Sequence, residues 1–287
     1  MTEPVGPALA RHRLSTYLRG LRADQPAADV AGAMHWSLSK LNRIENNKVT
    51  IQPVEVQALL AHYGVDDRAE IDRLIGLSLA SRQRMWWRDQ HFAEDYTNFI
   101  AFENDAARLL GYQAMFVPPL FQTPEYAHAV TGSVLRLPVD HPDVQTVVNV
   151  RLKRQETMRE RLAGDFPPSI SQAIDESVLL RPVGGAEVMA AQLDHLLEWE
   201  QLPTVHTVVV PLRIGVHPGL GGTFELLTFS EDEDLDVVFL ESQANDLLLT
   251  DKQDTAIFRN IMDDLFAVGV GVADAVDDVR QSLAVRR

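Results

Sequence analysis

The 287-residue sequence contains no cysteine, which removes disulfides, thiolate metal sites and cysteine nucleophiles from consideration. Its nine histidines never fall at H-x-x-x-H or a similar ligand spacing, so no metal site is expected. There is no G-x-S-x-G elbow and no P-loop: Gly219-Leu220-Gly221-Gly222 lacks a following Lys-Ser/Thr and reads as a hairpin turn. The Asp175-Glu176 pair could do acid/base work, but carboxylates of this kind more often pair with arginine, and Arg151, Arg154 and Arg181 are at hand. Such a constellation could also hold an anion. The expectation is a protein without enzymatic activity and without a cofactor. No apolar run approaches the roughly 18 residues of a membrane span. Residues 1–10 carry Glu3, Pro4 and Pro7 where a secretory signal would be apolar. A cytoplasmic protein with no membrane partner is therefore expected.

Charge is scarce in one sign. The net charge is -15, an unfavourable balance for nucleic-acid binding unless its distribution is uneven. It is uneven: between residues 11 and 50, Arg11, Arg13, Arg19, Arg22, Lys40, Arg43 and Lys48 outnumber Asp24, Asp29 and Glu45. Acids collect later, in Glu231-Asp232-Glu233-Asp234 with Asp236, and at Asp263, Asp264, Asp274, Asp277 and Asp278. A mildly basic module on an acidic body follows. With 46% hydrophobic residues the chain can bury a sizeable core, and its length favours two domains.

The basic module centres on Ser37-Leu38-Ser39-Lys40-Leu41-Asn42-Arg43-Ile44-Glu45-Asn46-Asn47. Ser37 is a good helix N-cap. Leu38, Leu41 and Ile44 recur at helical spacing and are expected to turn inward, leaving Ser39, Lys40, Asn42 and Arg43 outward. Short polar side chains and cations suit a helix that enters a groove of DNA. Ahead of it, Ala27-Ala28-Asp29-Val30-Ala31-Gly32-Ala33-Met34 makes a short small-residue helix, and His35-Trp36 a tight turn. A helix, a tight turn and a second helix with exposed polar residues form a helix-turn-helix. The DNA-contacting candidates are Ser37, Ser39, Lys40, Asn42, Arg43 and Lys48, and the partner is double-stranded DNA.

Ser37, Ser39, Lys40, Leu41, Arg43, Ile44 and Glu45 resemble the second helix of the phage-repressor (XRE) helix-turn-helix family, commonly S-x-S-[KT]-[ILV]-S-R-[IL]-E. The family usually has a phosphate-clamping Gln at the start of the preceding helix. Ala27 stands there, which implies one backbone contact fewer and a weaker single module.

Along the chain, residues 8–21 read as a first helix with Leu14, Tyr17, Leu18 and Leu21 inward. Pro53 opens another that Gly64 closes, and residues 66–79 form a further one. A helical DNA-binding domain is thus expected at 1–79. Residues 80–94 read as a linker, where Arg82, Arg84 and Arg88 surround Met85-Trp86-Trp87. These aromatics could stack on nucleic acid, but packing where two domains meet is favoured. A second domain, 95–280, is expected to begin with a helix ended by Gly111. A proline-punctuated turn follows, then a short helix capped by Thr123 with Pro124 at N1 and Tyr126 inside it, then a helix over 141–162 with Arg151, Lys153, Arg154, Arg159 and Arg161 largely exposed. Residues 169–180 contain a strand candidate, 186–201 a helix, and 204–212, 223–230 and 236–241 strands, before a last helix at 251–268. The fold class is mainly α with an α+β C-terminal part: a helix-turn-helix bundle followed by a small antiparallel sheet covered by helices on one face.

The second part also resembles a known domain. Val117-Pro118-Pro119-Leu120-Phe121-Gln122-Thr123-Pro124-Glu125-Tyr126, Arg151 with Arg154-Gln155, and Asp175-Glu176-Ser177-Val178-Leu179-Leu180-Arg181-Pro182-Val183-Gly184-Gly185 match a DUF5753-like domain of unknown function. So do Met189, Gln192-Leu193, Pro211, Gly215, His217-Pro218, Phe224-Glu225-Leu226-Leu227 and Val238-Phe239-Leu240-Glu241. The domain is found behind helix-turn-helix modules in actinobacterial regulators. Pro118-Pro119-Leu120-Phe121 departs from the family's common Pro-Gly-Leu-Leu. The resemblance implies a transcriptional regulator, often acting with a small protein encoded nearby. Gln122, Tyr126, Arg151, Arg154, Glu176, Arg181 and His217 are the candidates for a ligand or partner in this domain. A homodimer held by the second domain is expected, because one module reads few base pairs. The alternatives are a small-molecule sensor with a pocket in that domain and, third, a catalytic domain steered to DNA.

Overall fold

Pro7 starts the first helix at a position where its missing N–H is no loss. In the computed structural model, which describes residues 5–89, 92–229, 235–242 and 246–285, the chain divides into a unit ending at Asp105 and a unit starting at Ala106. The first is wholly helical: α1 (Pro7–Arg22), α2 (Ala27–Ala33), α3 (Leu38–Glu45), α4 (Pro53–His62), α5 (Arg68–Ser81), a 3-10 turn at Trp86–Asp89 and α6 (Glu94–Asp105). Leu14 and Leu18 of α1 meet Val30, Leu41, Ile44, Leu59, Leu60 and Leu74 in one core. The buried Ser78 hydroxyl donates to the Ile51 carbonyl (2.7 Å), tying α5 to the segment before α4.

The division falls later than the expected 80–94 linker. The first unit includes α6, because Asp105 at its end accepts the Ala8 and Leu9 N–H groups at the start of α1. Trp87 is buried and lines a small cavity with Pro7, Ala8, Arg11, Thr97 and Asn98, all within this unit. It is therefore not presented for stacking on nucleic acid.

The second unit runs β1 (Arg108–Gln113), α7 (Pro124–Leu135), α8 (Pro142–Leu162), β2 (Ser169–Asp175), α9 (Glu176–Leu180), α10 (Ala186–Glu200), β3 (Val205–Val210), β4 (Phe224–Thr228), β5 (Asp236–Leu240), β6 (Leu247–Leu249), α11 (Lys252–Val268), β7 (Val270–Gly271) and α12 (Val272–Val285). Among the described residues its seven strands lie in the order β6-β5-β4-β1-β2-β3-β7. The sheet is mixed, which corrects the antiparallel expectation: β1, β2 and β3 run parallel, while β4, β5, β6 and β7 pair antiparallel. Two helices separate each successive pair of parallel strands, long enough for the crossovers that parallel pairing needs. Both faces of the sheet are buried, not one. α11 places Phe258, Met262 and Leu265 on Tyr112, Ala173, Val208, Phe224 and Val238. On the opposite face Leu109, Ile170, Ile174, Val209 and Leu227 are buried too.

Gly111, expected to end a helix, sits inside β1 instead. A Cβ there would lie 2.4 Å from Glu225 Oε2 and 2.6 Å from Gln172 Oε1, so only glycine admits these two side chains over the strand. Glu225 accepts from Gln113 Nε2 (2.7 Å) and Gln172 Nε2 (3.1 Å) there. The strand candidate at 169–180 also ends early: Asp175 closes β2 and its carboxylate accepts the Ser177 N–H (2.9 Å), capping α9. Arg154, expected outside, is buried. The acidic run 231–234 lies outside the described residues, and no described helix is long and apolar enough to cross a membrane.

Candidate nucleic-acid interface

The tight turn between α2 and α3 is made by His35 in the left-handed region (φ 54°). Trp36 N–H bonds back to the Ala31 carbonyl (2.8 Å) and His35 N–H to that of Gly32 (3.0 Å), the two bonds of a Schellman ending. Ser37 then caps α3, its hydroxyl accepting the Lys40 N–H (3.2 Å). At the far end Asn47 (φ 58°) repeats the device, with Lys48 N–H on Arg43 O (2.8 Å). Arg11 of α1 donates to Asn47 Oδ1 (3.0 Å). The helix is thus fixed at both ends by bonds that leave its outer face clear.

Leu41 and Ile44 are fully buried and anchor α3. Glu45 is buried as well and forms an ion pair with Arg22 of α1 (2.7 Å). Arg19 donates through Nε to the Glu45 carbonyl (3.1 Å), one of the last carbonyls of the helix. Two of the arginines in the sequence's basic count, Arg19 and Arg22, therefore hold the helix in place. The outer face presents Ser39, Asn42, Arg43, Asn46 and Lys48, which brings together four of the expected DNA contacts. Arg43 makes no side-chain hydrogen bond or ion pair among the described residues. Lys48 pairs with Glu94 (3.0 Å), both largely exposed, and such a pair yields readily to a phosphate.

Lys40 is different. Its ammonium is hydrogen-bonded to Glu55 and lies over the Trp36 ring, 4.3 Å from the centroid. Burial pushes the Glu55 carboxyl up, but Lys40 and the Gln52 N–H outweigh it and hold it below its ordinary range. The Lys40 ammonium is thereby directed toward α4 and the turn. Leu38, expected inward, is 46% exposed on the same face as Ser39 and Asn42. At about 100° per residue it lies roughly 60° from Leu41 but roughly 120° from Ile44, and that offset, together with its place in the first turn, was the available signal. Asn46, not among the expected contacts, is exposed on the same face; it lies just beyond α3, where the helical repeat no longer fixes a direction.

The candidates in the second unit separate into two places. Gln122 donates to the Val117 carbonyl (2.7 Å) and accepts from Arg151, while the buried Tyr126 hydroxyl accepts the Val117 N–H (3.2 Å). Gln155 bonds the carbonyls of Pro119 and Gln122, and Gln192 the carbonyl of Phe121 and the N–H of Thr123. These side chains satisfy the backbone of a buried turn. At the carboxyl ends of β1 and β2, Asp175 Oδ2 accepts from the Tyr112 hydroxyl (3.4 Å) and lies 3.9 Å from His217 Nε2. Glu176 accepts the Leu212 N–H (2.7 Å). Burial, reinforced by Asp175, pushes the Tyr112 phenol up. Arg181 is exposed and, among the described residues, joins neither group through a hydrogen bond. Among the described residues no group of three or more His, Asp or Glu could hold a metal ion.

Compared with known families, residues 96–281 match the model of a domain of unknown function (DUF5753) and residues 13–74 match that of a helix-turn-helix domain. No curated protein and no solved structure matches the chain.

Proposed function

Because the chain belongs to the DUF5753 family and carries an N-terminal helix-turn-helix domain, we propose that it is a sequence-specific transcriptional regulator of the phage-repressor type. It reads double-stranded DNA through the outer face of α3. The observation that carries this is the division of labour on α3. Leu41, Ile44 and Glu45 are locked into the core, while Ser39, Asn42, Arg43 and Lys48 face outward. A helix held so firmly from behind can hold base-edge contacts in register.

The second unit serves, in this proposal, to pair two copies and to receive a small protein partner, and the protein acts in the cytoplasm without catalysis of its own. The carboxylates best suited to acid/base work support a structural role: Asp175 caps α9 and Glu176 binds the Leu212 N–H. One observation favours small-molecule sensing as the alternative. The His217 side chain is 6% exposed at the carboxyl ends of parallel strands, and among the described residues its Nδ1 has no hydrogen-bond partner; open α/β sheets bind ligands in that region. Selection of random duplex DNA by the purified full chain, followed by sequencing, tests the proposal. A recurring inverted motif is expected, and recovery of unselected sequence would refute it. Light scattering at micromolar concentration should give twice the 32.0 kDa chain mass; a monomer there removes the dimer.

A further inference from the structure

Leu38 is the one large aliphatic side chain on the outer face of α3. It is 46% exposed and shares a shallow concavity with Ser39, Asn42, Arg43, Asn46 and Lys48. A lone exposed leucine needs no explanation in itself; its position is what matters. It is the first residue after the Ser37 cap, and the N-terminal residues of a recognition helix are those that reach base edges. Its neighbours in that turn are engaged elsewhere, Ser37 with the Lys40 N–H and Lys40 with Glu55. Leu38, Ser39 and Asn42 are left to meet the bases. A leucine side chain neither donates nor accepts a hydrogen bond, so against most base edges it would strand a polar group away from water. The apolar feature displayed in the major groove is the C5-methyl group of a pyrimidine.

Resting on the DNA-binding role of α3, we propose that Leu38 is a specificity-determining residue that packs on a pyrimidine C5-methyl group. The DNA site then carries a 5-methylpyrimidine beneath it, either thymine or 5-methylcytosine. Burying one methyl group is worth about 0.8 kcal/mol, or roughly fourfold in affinity.

The test uses the full chain and the DNA motif obtained by selection. Each thymine is replaced in turn by deoxyuridine, and each cytosine in turn by 5-methylcytosine, for the wild type, Leu38→Ala and Leu38→Met. If thymine supplies the methyl group, one deoxyuridine position weakens the wild type roughly fourfold and leaves Leu38→Ala unchanged. If 5-methylcytosine supplies it, one methylated position strengthens the wild type by that factor and again leaves Leu38→Ala unchanged. Leu38→Met, which keeps the apolar reach, retains the discrimination. The Leu38 assignment is overturned if no methyl group matters at any position, or if Leu38→Ala discriminates as the wild type does. Absence of any sequence-selective binding by the wild type overturns the regulator proposal itself, a result distinct from selective binding that ignores methyl groups.

Discussion

The carboxylate of Asp105 accepts hydrogen bonds from the backbone N–H groups of Ala8 (2.7 Å) and Leu9 (3.0 Å). The last residue of α6 thereby caps the first turn of α1, where unpaired N–H groups and the positive end of the helix dipole favour an anion. Asp105→Ala should lower the stability of the protein by about 1–2 kcal/mol, in the range of a lost N-cap. Chemical denaturation followed by helical circular dichroism measures this. Gly6→Ala should be at least as costly, because the new Cβ would sit 2.0 Å from Asp105 Oδ1.

Glu45 and Arg22 form a second such clasp, with the Glu45 side chain only 5% exposed and that of Arg22 21%. Removing one partner leaves the other charge largely buried, so Glu45→Ala should cost about 2–3 kcal/mol. The double variant with Arg22→Ala should cost less than the sum of the two single changes. Additive costs in a urea titration would show that the pair is not coupled.

Arg43→Ala should weaken binding to specific and scrambled DNA alike and reduce the salt slope by about one. Lys40→Ala, in contrast, should leave the salt slope near that of the wild type, because Lys40 is held by Glu55 and Trp36. Binding isotherms across a salt series distinguish the two. An unchanged slope for Arg43→Ala would remove α3 from the DNA contact.

Glu70 supplies a pH dependence. Arg73, bonded to it at 2.7 and 2.8 Å, and then the Tyr17 hydroxyl hold its carboxyl down to about 2 from an ordinary value of 4.5. A depressed carboxylate contributes stability that is complete above the unfolded value and is lost as pH falls through the folded one. The wild type should therefore lose stability between about pH 5 and pH 2, and Glu70→Gln should fall less steeply over the same interval. Parallel curves in denaturant midpoints would contradict this.

The helix-turn-helix was legible in the sequence because everything that defines it is local. A cap, a helical repeat of Leu41 and Ile44, and turn residues all lie within a few positions. β1, and with it the parallel pairing of β1, β2 and β3, was not legible for the opposite reason. Arg108-Leu109-Leu110-Gly111-Tyr112-Gln113 follows directly on a helical pattern, and only its neighbours Ser169–Asp175 and Phe224–Thr228 make it a strand. Lys40 could not be assigned from sequence either, since its partner Glu55 belongs to the next helix. The Gln122 block was legible as a unit, but the residue types that bind a ligand are also those that satisfy a buried turn, as Gln122, Gln155 and Gln192 do here.

The position of β1 between β2 and β4 also governs how the chain is made. Arg108 pairs with Ser169 on one side and Thr228 on the other. At ordinary rates of translation the second neighbour is synthesised roughly 6–24 s after β1. The helical unit belongs to the all-helical class that folds in microseconds to milliseconds. During synthesis a finished DNA-reading half is therefore tethered to an apolar strand with both edges unpaired, Leu109, Leu110 and Tyr112 among its side chains, and such a strand is a template for aggregation. Slower synthesis lengthens that wait, so a holding chaperone present during synthesis should protect the second unit and make little difference to the first.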